Sequence, residues 1–529
     1  MDMRKLVVLL IPVLLSSTHL VLTDGYDRSV VQSMRGADVT PVDFFDQGVL
    51  VLVTDAGRRL LETSNVNYRV LDKAFVPGTC YIVWSQPGIS LSRPPVGTEL
   101  AAADGMRLVR IENQNDLDLL ASSGYEIKQL PSTLFPKIET QEETPFIGIA
   151  KDTIIQEMAN QVNWDSILGC IRRLQNFRTR YSSTDSARAC ATWLVNRFVA
   201  YGFDSVYTDS FSATYSRNVV AIKRGMVFPG RIYVVGCGHY DCTSGSPTTF
   251  APGADDNGSG TAMVLEAARV LRNYRFEYTI RLIGFSGEEQ GLLGSADYAL
   301  KAYNRRDTIR GVINGDMFGY TTPNRDTLMV INDTTYRSNL WLANYFAACA
   351  DTYTALKKRV WTGRRAQSDH ASFSRQGFTA IQERENLNVS NPYYHTIGDT
   401  IGGGLNAYTM VHQGVRAAVA TIASLAIPYR TAVAEENQDG PRLMALEVMP
   451  NPAHSKVVLK VRLAPARAKE RAQLKIYDVL GRLKYSSEPK ESDSFSVRVG
   501  PGSGLGPGVY LIRVTSGAAS FTKKLVVLR

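Results

Sequence analysis

The fold is decided by RIYVVGCGHYD (Arg231 to Asp241), GADDNGSGTAMVLEAARVL (Gly253 to Leu271) and TIRLIGFSGEEQG (Thr279 to Gly291). Arg231 to Gly236 is a β-branched run suited to a buried strand, Gly258 to Leu271 has helical character, and Thr279 to Phe285 returns to strand. The alternation continues outward. Arg310 to Asn314 and Phe378 to Gln382 read as strands, Trp164 to Phe177 and Asp185 to Tyr201 as helices, and Asn406 to Leu425 as a closing helix. Strands alternating with helices predict an α/β domain over 146–430, with a mainly parallel mixed sheet sandwiched by helices.

The flanking segments differ in character. Arg4 and Lys5 precede the apolar run Leu6 to Leu15, and Ser16 to Thr18 is small and polar, so residues 1–20 read as a secretory signal peptide. That run is about half the ~20 residues a membrane span needs, and no later run reaches that length. Residues 21–145 predict a small α/β module or propeptide. Val49 to Thr54, Gly57 to Thr63 and Tyr68 to Leu71 give a strand–helix–strand order that Met106 to Ile111, Asp116 to Ser122 and Tyr125 to Leu130 repeat. Residues 431–441 (TAVAEENQDGP) are a polar linker, and 442–529 show short alternating strands between Pro, Gly and Ser, the pattern of an all-β Ig-like sandwich.

Composition narrows the function classes. The 529 residues are 44% hydrophobic and 21% charged, which excludes wholesale disorder. The 59 Lys and Arg exceed the 50 Asp and Glu to give a net charge of +9 without a dense basic block, so nothing points to nucleic acid. Six cysteines are too few for a disulfide-built scaffold. Cys170 and Cys190, in neighbouring helical stretches of an exported protein, are a candidate pair. Cys237 and Cys242 bracket His239, but no second cysteine pair at ligand spacing exists to complete a thiolate site, so Cys237 reads as strand packing.

Polar residues gather just past the strands of the central domain. His239-Tyr240-Asp241 follows the first, Glu288-Glu289 follows Thr279 to Phe285, and Asp316 follows Arg310 to Asn314. Asp255-Asp256 lies in a glycine-rich turn directly before a helix, and His395 lies in a loop after Pro392. Ligands of open α/β sheets bind at the carboxyl ends of strands, where these side chains can converge. One imidazole with carboxylates for each of two cations is a set that zinc accepts.

GHYD (Gly238 to Asp241), PGADDNGSG (Pro252 to Gly260), SGEEQG (Ser286 to Gly291), GDM (Gly315 to Met317), SDHASF (Ser368 to Phe373) and YHTIGDT (Tyr394 to Thr400) resemble, in family order, the secreted di-zinc aminopeptidases of metallopeptidase family twenty-eight. That family also contains glutaminyl cyclases and glutamate carboxypeptidases. The resemblance implies two Zn2+, with Asp255 bridging, His239 and Asp316 on one ion, and Glu289 and His395 on the other. It makes Glu288 the general base for a metal-bridging water, Asp241 the carboxylate behind His239, and Asp256 a support for the bend at Asp255 rather than a ligand. Where relatives carry a Tyr or Cys pair before the Ser-Asp-His motif, this chain has Arg364-Arg365-Ala366-Gln367. Arg365 and His370 are therefore the candidates for stabilising the oxyanion, with a bracing role beside the metals open for His370.

The tail has its own resemblance. Pro450 to Ala453, LKIYDVLGRL (Leu474 to Leu483), Gly508 to Tyr510 and Lys524 to Val527 resemble a type IX secretion sorting domain, which implies passage through the periplasm and release or attachment at the outer cell surface. The whole implies an exported aminopeptidase acting on peptides, with the type IX machinery as partner. Glutaminyl cyclase, carboxypeptidase and a non-catalytic surface-binding protein on the same scaffold are the alternatives.

Overall fold

The computed structural model describes residues 18–23, 36, 38–45, 48–85, 93–103, 105–131 and 149–429, then 444–449, 457–463, 471–478, 483–491, 494–499, 505, 508–516 and 519–527. The apolar run Leu6 to Leu15, the polar stretch Thr431 to Pro441 and the motif Pro450 to Ala453 lie outside these residues. The chain divides into two compact units, 1–430 and 431–529. Among the described residues no helix is long and apolar enough to cross a membrane.

The first unit opens with two four-stranded antiparallel sheets. One contains β1 (His19–Thr23), β2 (Val39–Phe45), β3 (Gly48–Val53) and β4 (Tyr68–Asp72) in the order β2-β3-β1-β4, with α1 (Asp55–Thr63) between β3 and β4. The other contains β5 (Cys80–Trp84), β6 (Thr98–Ala103), β7 (Met106–Arg110) and β8 (Glu126–Gln129) in the order β6-β7-β5-β8, with α2 (Gln114–Ser122) before β8. The strand–helix–strand repeat read from the sequence is thus part of a larger one: strand, hairpin, helix, strand. The two strands of each expected unit do not pair with each other. They flank β1 or β5, which the sequence reading did not find. Because β1 starts at His19, the last two residues of the expected leader lie inside this sheet.

The central sheet has eight strands. β9 (Ser205–Asp209), β10 (Asn218–Lys223), β11 (Phe228–His239), β12 (Tyr278–Phe285), β13 (Thr308–Gly315), β14 (Leu328–Asp333), β15 (Lys358–Gly363) and β16 (Ala380–Arg384) lie in the order β15-β14-β16-β13-β11-β12-β10-β9. The inner pairs β12-β11, β11-β13 and β13-β16 are parallel, while β9-β10, β10-β12 and β14-β16 are antiparallel, so the sheet is mixed with a parallel centre. β12 alternates little because helices bury both its faces, the condition of an inner parallel strand.

Helices cover the sheet, beginning with α3 (Thr153–Gln161), α4 (Trp164–Gln175), α5 (Asp185–Ala200), α6 (Gly258–Leu271) and α7 (Leu293–Asn304). They are joined by α8 (Leu340–Tyr353), the short α9 (Asp369–Arg375) and the closing α10 (Tyr408–Ala426). Asn257 caps α6 by accepting from the Gly260 N–H at 2.7 Å, and its amide donates to Gly315 O. A Cβ on Gly260 would come within 2.0 Å of Gly315 O, so glycine lets α6 begin against the end of β13.

The six cysteines are all free and buried, so the candidate bridge between Cys170 and Cys190 is not formed. The two thiols face different neighbours. Cys170 lies near Arg197, Glu266 and Arg269, and Cys190 near Arg180 and Cys242. Cys237 packs within β11, as expected, with Asn314 beside its sulfur.

In the second unit, β17 (Met444–Met449), β18 (Val457–Leu463) and β22 (Ser494–Val499) form one antiparallel sheet. β19 (Arg471–Asp478), β20 (Leu483–Ser486), β21 (Lys490–Glu491), β23 (Gly508–Ser516) and β24 (Ala519–Val527) form another. Leu459 and Val461 of the first sheet and Leu474, Ile476, Ile512 and Leu525 of the second share one core, which makes the unit a β-sandwich.

Within the first unit the N-terminal sheets are joined to the central domain by apolar and ionic contact. Val49, Val51, Val53 and Leu61 pack with Leu292, Tyr336, Ala366 and Ala371. Lys128 Nζ lies 2.8 Å from Asp43 Oδ2 and donates to Tyr336 OH at 3.3 Å, all buried. Lys128→Met leaves Asp43 charged and poorly paired in that interior. It is expected to lower the unfolding free energy by about 3–5 kcal/mol, measured by urea denaturation, whereas a change within experimental error would show that the pair contributes nothing.

Candidate metal centre

β13, β11 and β12 are neighbours, and the chain leaves all three at the same edge of the sheet. His239 is the last residue of β11, Asp316 follows β13, and Glu288 and Glu289 follow β12. The Asp255-Asp256 turn before α6 and the loop carrying His395 close the site from above. Parallel strand ends leave an open crevice here, and the sequence fills it with acids and imidazoles.

Two groups of donors share one carboxylate. His239 Nε2 lies 3.4 Å from Asp316 Oδ1 and 3.4 Å from Asp256 Oδ1. His395 Nε2 lies 3.3 Å from Asp256 Oδ2 and 2.9 Å from Glu289 Oε2. Each oxygen of Asp256 therefore serves a different triad: His239, Asp256 and Asp316, or Asp256, Glu289 and His395. Tetrahedral zinc with bonds of ~2.0–2.2 Å separates its ligand atoms by roughly 3.3 Å, which these spacings match. The donors are hard oxygens and imidazole nitrogens, a set that suits zinc.

Asp256, and not the Asp255 expected to bridge, is the carboxylate that lies beside both imidazoles. Asp255 faces away from the imidazoles, accepting from Gly319 N at 2.7 Å through Oδ1 and from Asn391 Nδ2 at 3.2 Å through Oδ2. It is Asp255 that secures the bend and Asp256 that presents its carboxylate, the reverse of the roles read from the sequence. Asp399, unremarked in the sequence although it lies inside YHTIGDT, fixes the choice. Its two oxygens accept from Asp255 N at 3.0 Å and Asp256 N at 2.9 Å, gripping the backbone of the turn.

The other expected residues fall as follows. Asp241 backs His239 from the far side of the ring, Oδ1 at 3.5 Å from Nδ1, and Oδ2 accepts from Glu289 N at 3.3 Å. Gln382 donates to Asp316 Oδ2 at 3.1 Å. Glu288 lines the cavity beside the donors, 3.9 Å from His239 Nε2. His370 is fully buried and does not line that cavity. It pairs through Nε2 with Arg365 O at 3.2 Å and lies 3.8 Å from Asp333 Oδ2, which makes it a brace. Arg365 is also set back from the cavity.

Sequence reasoning missed three groups that do line it, Gln367, Arg384 and Tyr394, and two that close it, Glu126 and Ile127 of β8. Tyr394 was legible inside YHTIGDT. Arg384 and Glu126 carried no motif. The enclosed space is about 20 Å³, room for roughly one water. Arg180 was missed as well. Wholly buried, it donates to Leu174 O, Tyr240 O, Pro252 O and Gly253 O at 2.6–3.0 Å, tying the exit of β11 to the Asp255-Asp256 turn.

Crowded acids shift one another. Burial, with Asp256 adding repulsion, pushes Glu289 up to about 7. Burial works against a charged His395, but Glu289 and Asp256 outweigh it and raise the ring to about 10. For His239 burial is again opposed, by Glu288 and by hydrogen bonds to Asp241 and Asp316, and the ring is held well above its usual value. Glu289 Oε1, buried, accepts no hydrogen bond among the described residues. A cation held by these residues would have to compete with protons for them.

Residues 218–418 match Peptidase family M28, and residues 447–528 match the secretion system C-terminal sorting domain. A probable zinc metalloprotease of Pyrenophora teres f. teres is 36% identical over 32% of this chain and 41% of its own length. Leucine aminopeptidase 1 of Trichophyton equinum is 31% identical over 44% of this chain and 66% of its own. The chain thus spans less than two thirds of the length of these curated relatives. The Legionella pneumophila LapA aminopeptidase shares the fold at a TM-score of 0.54 and 22% identity, covering 66% of this chain and 99% of that one.

The two aspartates of the turn are separable by experiment. Asp256→Asn should lose most of the bound metal and Asp255→Asn should retain it, measured by elemental analysis after dialysis. Equal retention by both would remove Asp256 from the bridging position.

Proposed function

We propose that this protein, whose residues 218–418 match Peptidase family M28, is an exported zinc-dependent aminopeptidase that holds two zinc ions and removes N-terminal residues from peptides. The observation that carries the reading is the Asp256 carboxylate, which offers one oxygen to each of two triads. His239 and Asp316 would hold one ion, and Glu289 and His395 the other. Two such cations, when bound, polarise the scissile carbonyl and acidify water at the site.

The chain's own residues supply the rest. Glu288 and Glu289 leave the strand end in different directions. Glu289 Oε2 is engaged with His395, while Glu288 borders the cavity, the arrangement that lets one acid ligate and its neighbour move a proton. Glu288 would take the proton of the attacking water and pass it to the leaving amine. Burial holds the Tyr394 phenol well above its usual range, so it stays protonated and able to donate to a developing oxyanion in the cavity it lines. His370 and Arg365 act behind it, on the frame.

The presence of both triads favours a peptidase over a one-zinc glutaminyl cyclase, and the leucine aminopeptidase relative favours the amino end over the carboxyl end. The sorting domain supports delivery by the type IX machinery to the medium or the cell surface, with the charged, apolar leader providing entry to the periplasm.

Glu288→Gln should keep the zinc content of the parent and lose about 10²–10⁴-fold in turnover of leucinamide. Elemental analysis and an amine-release assay measure the two quantities, and parental turnover would refute the base. Unblocked peptides should shorten from the amino end by mass spectrometry, with N-acetylated ones inert. A protein without chelator-sensitive hydrolysis of either would be the non-catalytic binder instead.

A further inference from the structure

β8 brings the N-terminal module into the catalytic centre. Glu126, its first residue, is buried, and Glu126 Oε2 accepts from Trp84 Nε1 at 2.6 Å. Trp84 is its cross-strand neighbour on β5, so the module itself sets the position of the carboxylate. The other oxygen, Oε1, lies 3.7 Å from Arg384 Nη2. Arg384 ends β16, is 4% exposed, and lines the same cavity as Glu288 and Tyr394.

A second guanidinium stands close by. Arg365 is 8% exposed, and its Nε and Nη2 have no hydrogen-bond partner among the described residues. Burial and the like charge of Arg384 push it down to about 10, with Glu126 acting in the opposite sense. Two guanidiniums in a dry interior need anions. Other acids near Arg384 are committed elsewhere: Asp316 to His239 and Gln382, and Glu385 to the Tyr320 N–H at 3.0 Å. Glu126 is the carboxylate that faces Arg384, and it comes from outside the central domain.

We propose that Arg384, with Arg365 behind it, forms a carboxylate-binding subsite beside the metal ligands, and that Glu126 of the N-terminal module occupies it in place of a substrate carboxylate. The inference rests on the peptidase reading for its substrate. The remaining space fits roughly one water, and Glu126 and Ile127 border it together with Glu288, where a bound peptide would meet them. A substrate that brings a carboxylate restores the charge balance, and a neutral one leaves Arg384 without the carboxylate that Glu126 supplies. The carboxylate has two possible sources, an acidic side chain on the N-terminal residue or the α-carboxylate of a very short peptide.

The test uses the full zinc-loaded chain with Glu288→Gln to prevent turnover, titrated calorimetrically with L-isoglutamine, L-glutamine and leucinamide. L-isoglutamine carries only the side-chain carboxylate, L-glutamine only the α-carboxylate, and leucinamide neither. Glu126→Ala is expected to raise affinity for at least one carboxylate probe about tenfold or more over leucinamide, and adding Arg384→Gln should abolish the gain. Glu126→Gln, which keeps the Trp84 hydrogen bond, should move in the same direction if the alanine variant folds poorly. A gain with isoglutamine assigns the side chain, and one with glutamine assigns the chain end. No gain over leucinamide in either variant, or a gain that survives Arg384→Gln, overturns the subsite. Binding is read independently of hydrolysis, so failure of the peptidase reading shows separately, as absence of leucinamide turnover in the chain with Glu288 intact.

Discussion

Acids packed around two imidazoles at the end of a buried sheet repel one another, and the rest of the molecule is arranged to hold them there. Asp256 is the pivot, since each of its oxygens is shared with a different histidine. Its placement depends on neither triad. Asp399 accepts from the backbone of Asp255 and Asp256, Asp255 ties the turn to Gly319 and Asn391, and Arg180 binds the same loop to the exit of β11. Each bond satisfies a buried backbone group that would otherwise cost free energy, so the turn is rigid for reasons separate from its chemistry. A preformed turn lets the electrostatic repulsion remain until a cation relieves it.

Much of this was legible in the order of letters. The β-branched run before His239, the capped helix starting at Gly258 and the strand before Glu288 fix three parallel elements, and polar residues at their carboxyl ends then share one crevice. β9, β10, β14 and β15 went unread. β9 and β15 are edge strands with exposed, charged positions, and they lack the continuous apolar signature of the inner ones. The Asp255-Asp256 doublet is ambiguous in sequence for a different reason. Both residues satisfy the same motif, and which side chain faces the imidazoles depends on how the turn is gripped from Asp399, well over a hundred positions away in sequence. No local pattern carries that information. The same holds for Arg365 and His370, which fall within a few residues of the right place and yet sit behind the cavity wall.

The N-terminal module shows a subtler limit. Its repeat was partly visible, because α1 with its neighbouring strands and α2 with its neighbouring strands share a pattern of apolar and polar residues. What could not be read is that β8 runs to the metal ligands. Glu126 looks like an ordinary solvated acid on a short strand, and it is the Trp84 hydrogen bond and the Arg384 guanidinium that reveal it as an interior group. Contact between elements remote in sequence is invisible to periodicity, whatever the clarity of each element alone.

Arg384 joins these two parts electrostatically. Its charge acts on Asp316, which lies against His239, and it lies next to Glu126, which belongs to the module. Moving Glu126 away therefore changes the field on a metal ligand as well as the volume of the cavity. With Glu126 seated, Arg384 is shared between two carboxylates. With it withdrawn, the positive charge of Arg384 near Asp316 is no longer offset by Glu126. Low dielectric in this interior makes such a redistribution felt over several ångströms. The position of the module and the strength of the ligand set are thus one coupled property of the fold, and neither can be altered without the other.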